Sequence, residues 1–262
     1  MAQSWSEETA RVAGADLKII KGGSGKPLVM LHDELGFPGW MTWNETLAHD
    51  RTFVIPLQPG YGKSPRQDWI RSYRDLGGFY SQAIRELRLD PVDVIGFSAG
   101  GFAAAEMAGA DPRIFSKMVL VAPMGIKPEH GEIMDIFPVT IRTHLRATVA
   151  DPHNTPEFLK IYGGEMTPEQ FELFEEGRAE AARLGWEPYM HNPSLPHLLH
   201  GLALPTLLVW GTADKVVPRG CIELYKKSIP GAEVVEIEGA GHRPEIEKSP
   251  AFERAVMKFL AA

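Results

Sequence analysis

Ser98 lies in Gly96-Phe97-Ser98-Ala99-Gly100, between the β-type run Val92-Asp93-Val94-Ile95 and the helix-forming Gly101-Phe102-Ala103-Ala104-Ala105. A serine on a tight turn between a strand and a helix presents its hydroxyl for nucleophilic attack, and Gly96 and Gly100 leave room where Cβ atoms would collide. The helix that follows directs backbone N–H groups and the positive end of its dipole toward an oxygen that gains charge during acyl transfer. Serine is a weak nucleophile without a base, and the base needs a third group to hold its tautomer. Asp214 follows the apolar run Thr206-Leu207-Leu208-Val209-Trp210, and His242 follows Val234-Val235-Glu236-Ile237 within Gly239-Ala240-Gly241-His242-Arg243-Pro244. An acid and an imidazole, each just past a strand, supply the two missing parts. For Asp214 the competing reading is a cap on a helix starting near Pro218. His191, His197 and His200 fall near the end of a helical stretch, and His49, His130, His144 and His153 lie on loops or helices without the same context. His197 and His200 have helical spacing for two metal ligands, but no third ligand accompanies them, so neither a metal nor a cofactor is expected.

These residues need a sheet to hold them. Leu28-Val29-Met30-Leu31, Phe53-Val54-Ile55-Pro56-Leu57, Val92 to Ile95, Met118-Val119-Leu120-Val121, Thr206 to Trp210 and Val234 to Ile237 are short apolar runs closed by turn residues. They read as buried, mostly parallel strands alternating with amphipathic helices. Arg11-Val12 and Leu17-Lys18-Ile19-Ile20 flank Gly14-Ala15-Asp16 and predict an antiparallel hairpin at the sheet edge. From Ser72 to Leu89, apolar residues at Leu76, Phe79, Tyr80, Ala83, Ile84 and Leu87 form a helical stripe that stops before Pro91. Between Met124 and about His200 the strand rhythm lapses, with helical segments near Ile133 to Thr148, Pro156 to Tyr162 and Pro168 to Leu184. The organisation expected is a core in two parts, residues 1–123 and 201–262, with a helical lid at 124–200. Gly22-Gly23-Ser24-Gly25-Lys26-Pro27 imitates a phosphate loop, but Pro27 replaces the required hydroxyl residue and a strand follows, so it reads as a turn.

Together these segments resemble the α/β-hydrolase superfamily over essentially the whole chain, and Ser98, Asp214 and His242 occur in the order which that fold uses. The resemblance implies a mostly parallel twisted sheet with helices on both faces, a catalytic triad, and an oxyanion hole. In the stretch His32-Asp33-Glu34-Leu35-Gly36, Asp33 stands where the family usually has glycine. By register the oxyanion donors are the backbone N–H groups of Glu34 and Ala99. The side chains of Asp33 and Glu34 either face solvent or face the pocket, where their charge would disfavour anionic substrates. The helical spacing of Arg142, Arg146, Arg178 and Arg183 puts them toward solvent.

The chain has 262 residues, 44% hydrophobic and 23% charged, which suits a globular protein with a sizeable core. Its 27 Lys plus Arg against 34 Asp plus Glu give a formal charge of -7 and no basic block, which argues against nucleic acid as a partner. The lone Cys221 excludes an intramolecular disulfide, and no run approaches the roughly 18 apolar residues of a membrane span. With neither a basic start nor an apolar stretch at the amino terminus, a cytoplasmic location is expected. Composition carries no signal for oligomeric state. The function expected is hydrolysis of carboxylic esters of small apolar acyl or aromatic substrates through an acyl-enzyme on Ser98. The rival readings are carbon–carbon bond hydrolysis of meta-cleavage products and a slow-turnover hydrolase-like ligand receptor. The Met- and aromatic-rich lid and the Asp33-Glu34 pair favour neutral substrates over acidic ones.

Overall fold

The computed structural model describes residues 5–262. Its strands are β1 (Trp5–Val12), β2 (Ala15–Gly23), β3 (Lys26–Leu31), β4 (Arg51–Pro56), β5 (Val92–Phe97), β6 (Phe115–Val121), β7 (Thr206–Gly211) and β8 (Glu233–Ile237). They form one eight-stranded sheet in the order β1-β2-β4-β3-β5-β6-β7-β8. The β1–β2 and β2–β4 pairs are antiparallel and every other pair is parallel. The hairpin turn falls at Ala13-Gly14, both at positive φ, which matches the right-handed twist of the flanking strands. Gly22 to Pro27 is the end of β2, a turn and the start of β3, as its sequence predicts.

Ten α-helices and one short 3-10 helix (Pro112–Ile114) accompany the strands among the described residues. Those of the first part are α1 (Thr42–Leu47), α2 (Tyr73–Glu86) and α3 (Ser98–Ala110). Between β6 and β7 come α4 (Ile141–Ala147), α5 (Pro156–Tyr162), α6 (Pro168–Gly185) and α7 (Leu195–Leu198), followed later by α8 (Gly220–Ser228), α9 (Pro244–Glu247) and α10 (Ser249–Ala261). The predicted helix at Ser72 forms with Ser72 as its cap, the hydroxyl accepting from the Asp75 N–H at 3.1 Å. The predicted helix at Ile133 to Thr148 is shorter than expected. Pro138 disfavours helical backbone at the residue before it, and the turn begins only where the Thr140 hydroxyl accepts from the Thr143 N–H.

The central strands carry apolar residues on both faces because both faces are covered. Val94, Met118, Leu120, Leu208 and Trp210 pack with Leu76 and Phe79 of α2, Ala103 and Ala104 of α3, and Tyr225 of α8. The alternate residues Ile95, Phe97, Val119, Val121 and Val209 pack with Trp43 of α1 and Phe252 of α10. The period of two along each strand therefore divides one sequence between two cores. The α3 helix can enter this layer because it is almost entirely small or apolar, with Ser98 to Ala108 buried.

Gly100 marks a tight approach of backbone to backbone. A Cβ there would sit 2.3 Å from the carbonyl oxygens of both Leu31 and His32. Gly100→Ala is expected to lower stability by about 3 kcal/mol, at the upper end for overpacking against backbone. Gly78, exposed in the middle of α2 with open space around its α-carbon, provides the contrast: Gly78→Ala should stabilise by about 0.5–1 kcal/mol through helix propensity. Urea unfolding of both variants checks the pair, and a Gly100→Ala midpoint equal to wild type would show that β3 can yield.

Candidate active site

All six residues of β5 are buried, and the strand hands directly to α3 at Ser98. Ser98 adopts φ 47, in the left-handed region that side chains other than glycine rarely occupy. Holding it there costs of order 1–3 kcal/mol, a conformation that persists only where the surroundings enforce it. They do so by close packing. A Cβ on Gly96 would meet the Gly100 carbonyl oxygen at 2.7 Å, and the Met124 N–H donates to the Ser98 carbonyl at 3.2 Å. The collisions expected from the sequence at Gly96 and Gly100 are therefore real.

Asp214 lies in the loop leaving β7. Its Oδ1 accepts from the Val216 and Val217 N–H groups at 2.8 and 3.0 Å, and its Oδ2 is 2.8 Å from His242 Nδ1. One oxygen thus fixes the loop while the other holds the imidazole. The helix cap considered from sequence does not form, since α8 starts only at Gly220 and is preceded by Arg219. His242 is brought near by glycines, because a Cβ on Gly211 would fall 2.0 Å from the Gly241 carbonyl oxygen. A Cβ on Gly241 would in turn meet the backbone of Val149 and Ala150 at 2.7–2.8 Å. The Arg243 N–H donates to the Thr148 carbonyl at 2.9 Å, and Glu247 accepts from both Gly241 and Ala150. The loop carrying His242 is consequently stitched to the chain that follows α4.

Ser98 and His242 are only 2% and 3% exposed. Ser98 Oγ and His242 Nε2 are buried without a hydrogen-bond partner among the described residues. Both are the atoms that nucleophilic catalysis would use. Burial favours neutral imidazole at His242, but the charge and hydrogen bond of Asp214, followed by the charges of Glu34 and Asp33, outweigh it and raise its pKa to about 9.

The loop after β3 resolves where its two acids point. His32 Nε2 accepts from the Gln58 N–H at 3.0 Å, so Nδ1 carries the proton and donates to the Asp33 carbonyl at 2.8 Å. Burial lowers the pKa of His32 and keeps it neutral, a structural histidine that turns the chain. Asp33 and Glu34 both face inward, at 5% and 1% exposure. Asp33 Oδ1 accepts from the Leu35 N–H at 2.9 Å, and Oδ2 lies 3.2 Å from Arg243 Nη2. Arg243 is itself buried between Asp33, Glu245 and the Tyr162 hydroxyl. Glu34 Oε1 lies 3.1 Å from His144 Nε2 on α4, an electrostatic contact outside the alignment of a good hydrogen bond. Burial alone would make Glu34 a weaker acid, yet its contact with His144 and the charges of His144 and His242 hold its pKa well below the usual carboxylate range.

Two sequence expectations are corrected here. Asp33 has a positive neighbour in Arg243, and Glu34 faces the His144 imidazole, so the loop is less repellent to anions than its composition implies. Arg142 and Arg146 are exposed as expected, but Arg178 and Arg183 turn inward. Arg178 donates to the Phe137 carbonyl and pairs with Glu175, while Arg183 pairs with Glu180 and donates to the Ile70 carbonyl. Sequence reasoning also missed His144 and Arg243. The signal for His144 was present: Ile141, His144 and Leu145 share one face of α4, and that face is buried. His197 and His200 fall in and just after α7, and among the described residues no group of three or more His, Cys, Asp or Glu side chains is arranged to hold a metal.

The chain is similar to several known proteins. The chain is 26% identical to 2-hydroxy-6-oxononadienedioate/2-hydroxy-6-oxononatrienedioate hydrolase of Cupriavidus pinatubonensis, across 91% of this chain and 88% of the relative. It is 27% identical to pimeloyl-(acyl-carrier protein) methyl ester esterase of Aeromonas salmonicida, across 91% and 96%. In three dimensions it superposes on a bacterial membrane phospholipase A with a TM-score of 0.82 at 21% identity, covering 98% of this chain and 86% of that one. At that identity the superposition speaks for the fold alone. The model of the alpha/beta hydrolase family matches residues 28–255. That span runs from β3 into α10 and contains Ser98, Asp214 and His242, so the chain belongs to the alpha/beta hydrolase family.

Proposed function

We propose that this hydrolase cleaves carboxylic esters by acyl transfer to Ser98. The observation that carries the reading is Ser98 at φ 47 on the β5–α3 junction, with His242 Nδ1 2.8 Å from Asp214 and both Ser98 Oγ and His242 Nε2 left unpaired. In the proposed sequence His242 Nε2 takes the Ser98 proton as Oγ attacks the ester carbonyl. The tetrahedral oxyanion is met by the backbone N–H groups of Glu34 and Ala99. Return of the proton to the alkoxide releases the alcohol, and water activated by His242 frees the acid. The region between residues 124 and 200, with α4 to α7, acts as a cap over the site. Its partner is a small molecule, for which the enclosed position of Ser98 supplies a water-poor setting. Cys221 is buried, and burial pushes its thiol up to about 12. A lone, buried and unreactive thiol suits a cytoplasmic location.

Carbon–carbon bond hydrolysis is the second reading. It is favoured by the Cupriavidus relative and by the neutralisation of Asp33 by Arg243, which removes part of the charge barrier to an acidic substrate. Glu34 still sets the balance toward neutral esters. Specificity constants for a neutral aromatic ester and a dienoic ring-cleavage acid separate the two, with faster turnover of the dienoic acid rejecting the ester assignment.

Two outcomes follow for the machinery itself. An organophosphonate should modify wild-type protein stoichiometrically and leave Ser98→Ala unmodified, with ester turnover reduced by at least about a thousandfold. Labelling of Ser98→Ala to completion would move the nucleophile elsewhere.

The second concerns pH. With His242 near 9, only the deprotonated fraction acts as base, so kcat/KM for a neutral ester should rise about tenfold per pH unit from neutrality and level off near pH 9. Glu34→Gln removes one charge that raises this pKa and should move the limb to lower pH. A limb at the ordinary histidine value of about 6.5 in both proteins would contradict the electrostatic account. The stability linked to His242 has the corresponding sign: it is fully present below about 6.5 and is lost as pH rises through about 9.

A further inference from the structure

Ser98 Oγ and His242 Nε2 have a use in the proposed reaction. Glu34 Oε2 has none. It too is buried without a hydrogen-bond partner, in a residue 1% exposed. A buried acceptor left empty costs more than the hydrogen bond it forgoes, and more again when it carries charge. Glu106 Oε2 and Glu245 Oε2 share this state, and of the three carboxylates Glu34 is the one on the loop after β3, which packs against α3 beside Ser98. The other oxygen of the Glu34 carboxylate lies 3.1 Å from His144 Nε2, and the Glu34 carbonyl accepts from the Tyr61 hydroxyl at 3.2 Å. That hydroxyl also contacts the Gly177 carbonyl on α6 at 2.9 Å. The residue is therefore fixed from two of the inserted helices, with one acceptor unused. The carbonyls of Leu31 and His32 press against α3 at Gly100, two residues beyond Ser98, which puts the loop carrying Glu34 beside the nucleophile.

We infer that Glu34 Oε2 is the acceptor for a hydroxyl on the substrate's acyl part, which makes this enzyme selective for hydroxyacyl esters. The inference rests on the ester-hydrolase reading, in which the backbone N–H of the same residue binds the carbonyl oxygen. A glutamate carboxylate is only a few bonds from its own backbone nitrogen. The hydroxyl it meets then lies on the carbon next to the carbonyl or one beyond. The ligand group is a neutral donor: a carboxylate would face Glu34 itself, and Glu34 already has a nitrogen partner, His144 Nε2, 3.1 Å from its other oxygen.

Titration calorimetry on the Ser98→Ala protein tests this without turnover, using methyl mandelate and methyl phenylacetate, which differ by one hydroxyl on the carbon beside the carbonyl. The better-bound enantiomer of methyl mandelate should bind about 10- to 100-fold more tightly. Adding Glu34→Leu should bring the two esters to within about twofold. Equal binding to Ser98→Ala, or a preference that survives Glu34→Leu, overturns the inference. Should Glu34→Leu fail to fold, Glu34→Gln conserves the volume and must still cut the preference severalfold, and an unchanged ratio overturns it equally. Phosphonate labelling of wild-type Ser98 reports separately on the ester-hydrolase reading. Labelled protein with equal ester binding removes only the acceptor role. Unlabelled protein with a retained, Glu34-dependent preference removes the hydrolytic role and leaves the acceptor in place.

Discussion

Backbone meets backbone at the two places where the candidate active site is assembled, and no side chain fits between. The carbonyls of Leu31 and His32 press against α3 at Gly100, while the Gly241 carbonyl presses against β7 at Gly211. The first contact sets the loop after β3 beside Ser98, and the second sets His242 beside the loop that carries Asp214. Each of the four strands that contribute, β3, β5, β7 and β8, ends on the same side of a parallel sheet, where ligands bind in this class of fold. Pairing of strands alone would bring these loops into the same neighbourhood. Glycine turns the neighbourhood into contact distances, and the unusual φ of Ser98 is sustained by the same packing.

Around that scaffold the buried charges are arranged in complementary groups. Asp214 faces His242, Glu34 faces His144, and Asp33 shares Arg243 with Glu245. Taking such charges out of water is costly unless each finds a partner, and removing one member strands the other. The groups are also not independent. The acids that complete the loop after β3 lie close enough to His242 to raise its basicity beyond what Asp214 alone would do. The identity of residues 33 and 34, where the family pattern calls for glycine at the first, therefore bears on the chemistry of a histidine two hundred residues away.

Much of this was legible in the sequence. Apolar runs ended by turn residues located the central strands, and the alternation of inward faces followed from their continuous hydrophobicity. Ser98, Asp214 and His242 could be singled out because each sits just beyond a strand, and the structure pairs the last two at 2.8 Å. What failed was long-range and electrostatic. The direction of Asp33 and Glu34 depends on Arg243 and His144, separated from them by over a hundred residues, and pairwise partners of that kind leave no local period. Arg178 and Arg183 point inward because backbone carbonyls at Phe137 and Ile70 await them, again a tertiary circumstance. The late start of α4 was a local matter, since Pro138 was visible and its effect on the residue before it is general.

The buried polar atoms of the site have a thermodynamic consequence. Ser98 Oγ, His242 Nε2 and Glu34 Oε2 have no protein hydrogen-bond partner, so a small molecule with complementary groups can bond to them without displacing a protein contact. Such a molecule binds the native chain and not the unfolded one. At a hundredfold excess over its Kd it adds about 2.7 kcal/mol of stability, which for a chain of this size raises the Tm by roughly 5–10 °C. Melting temperature thus becomes a ranking of chemical fit among compounds the enzyme never turns over, with these polar atoms as the probe.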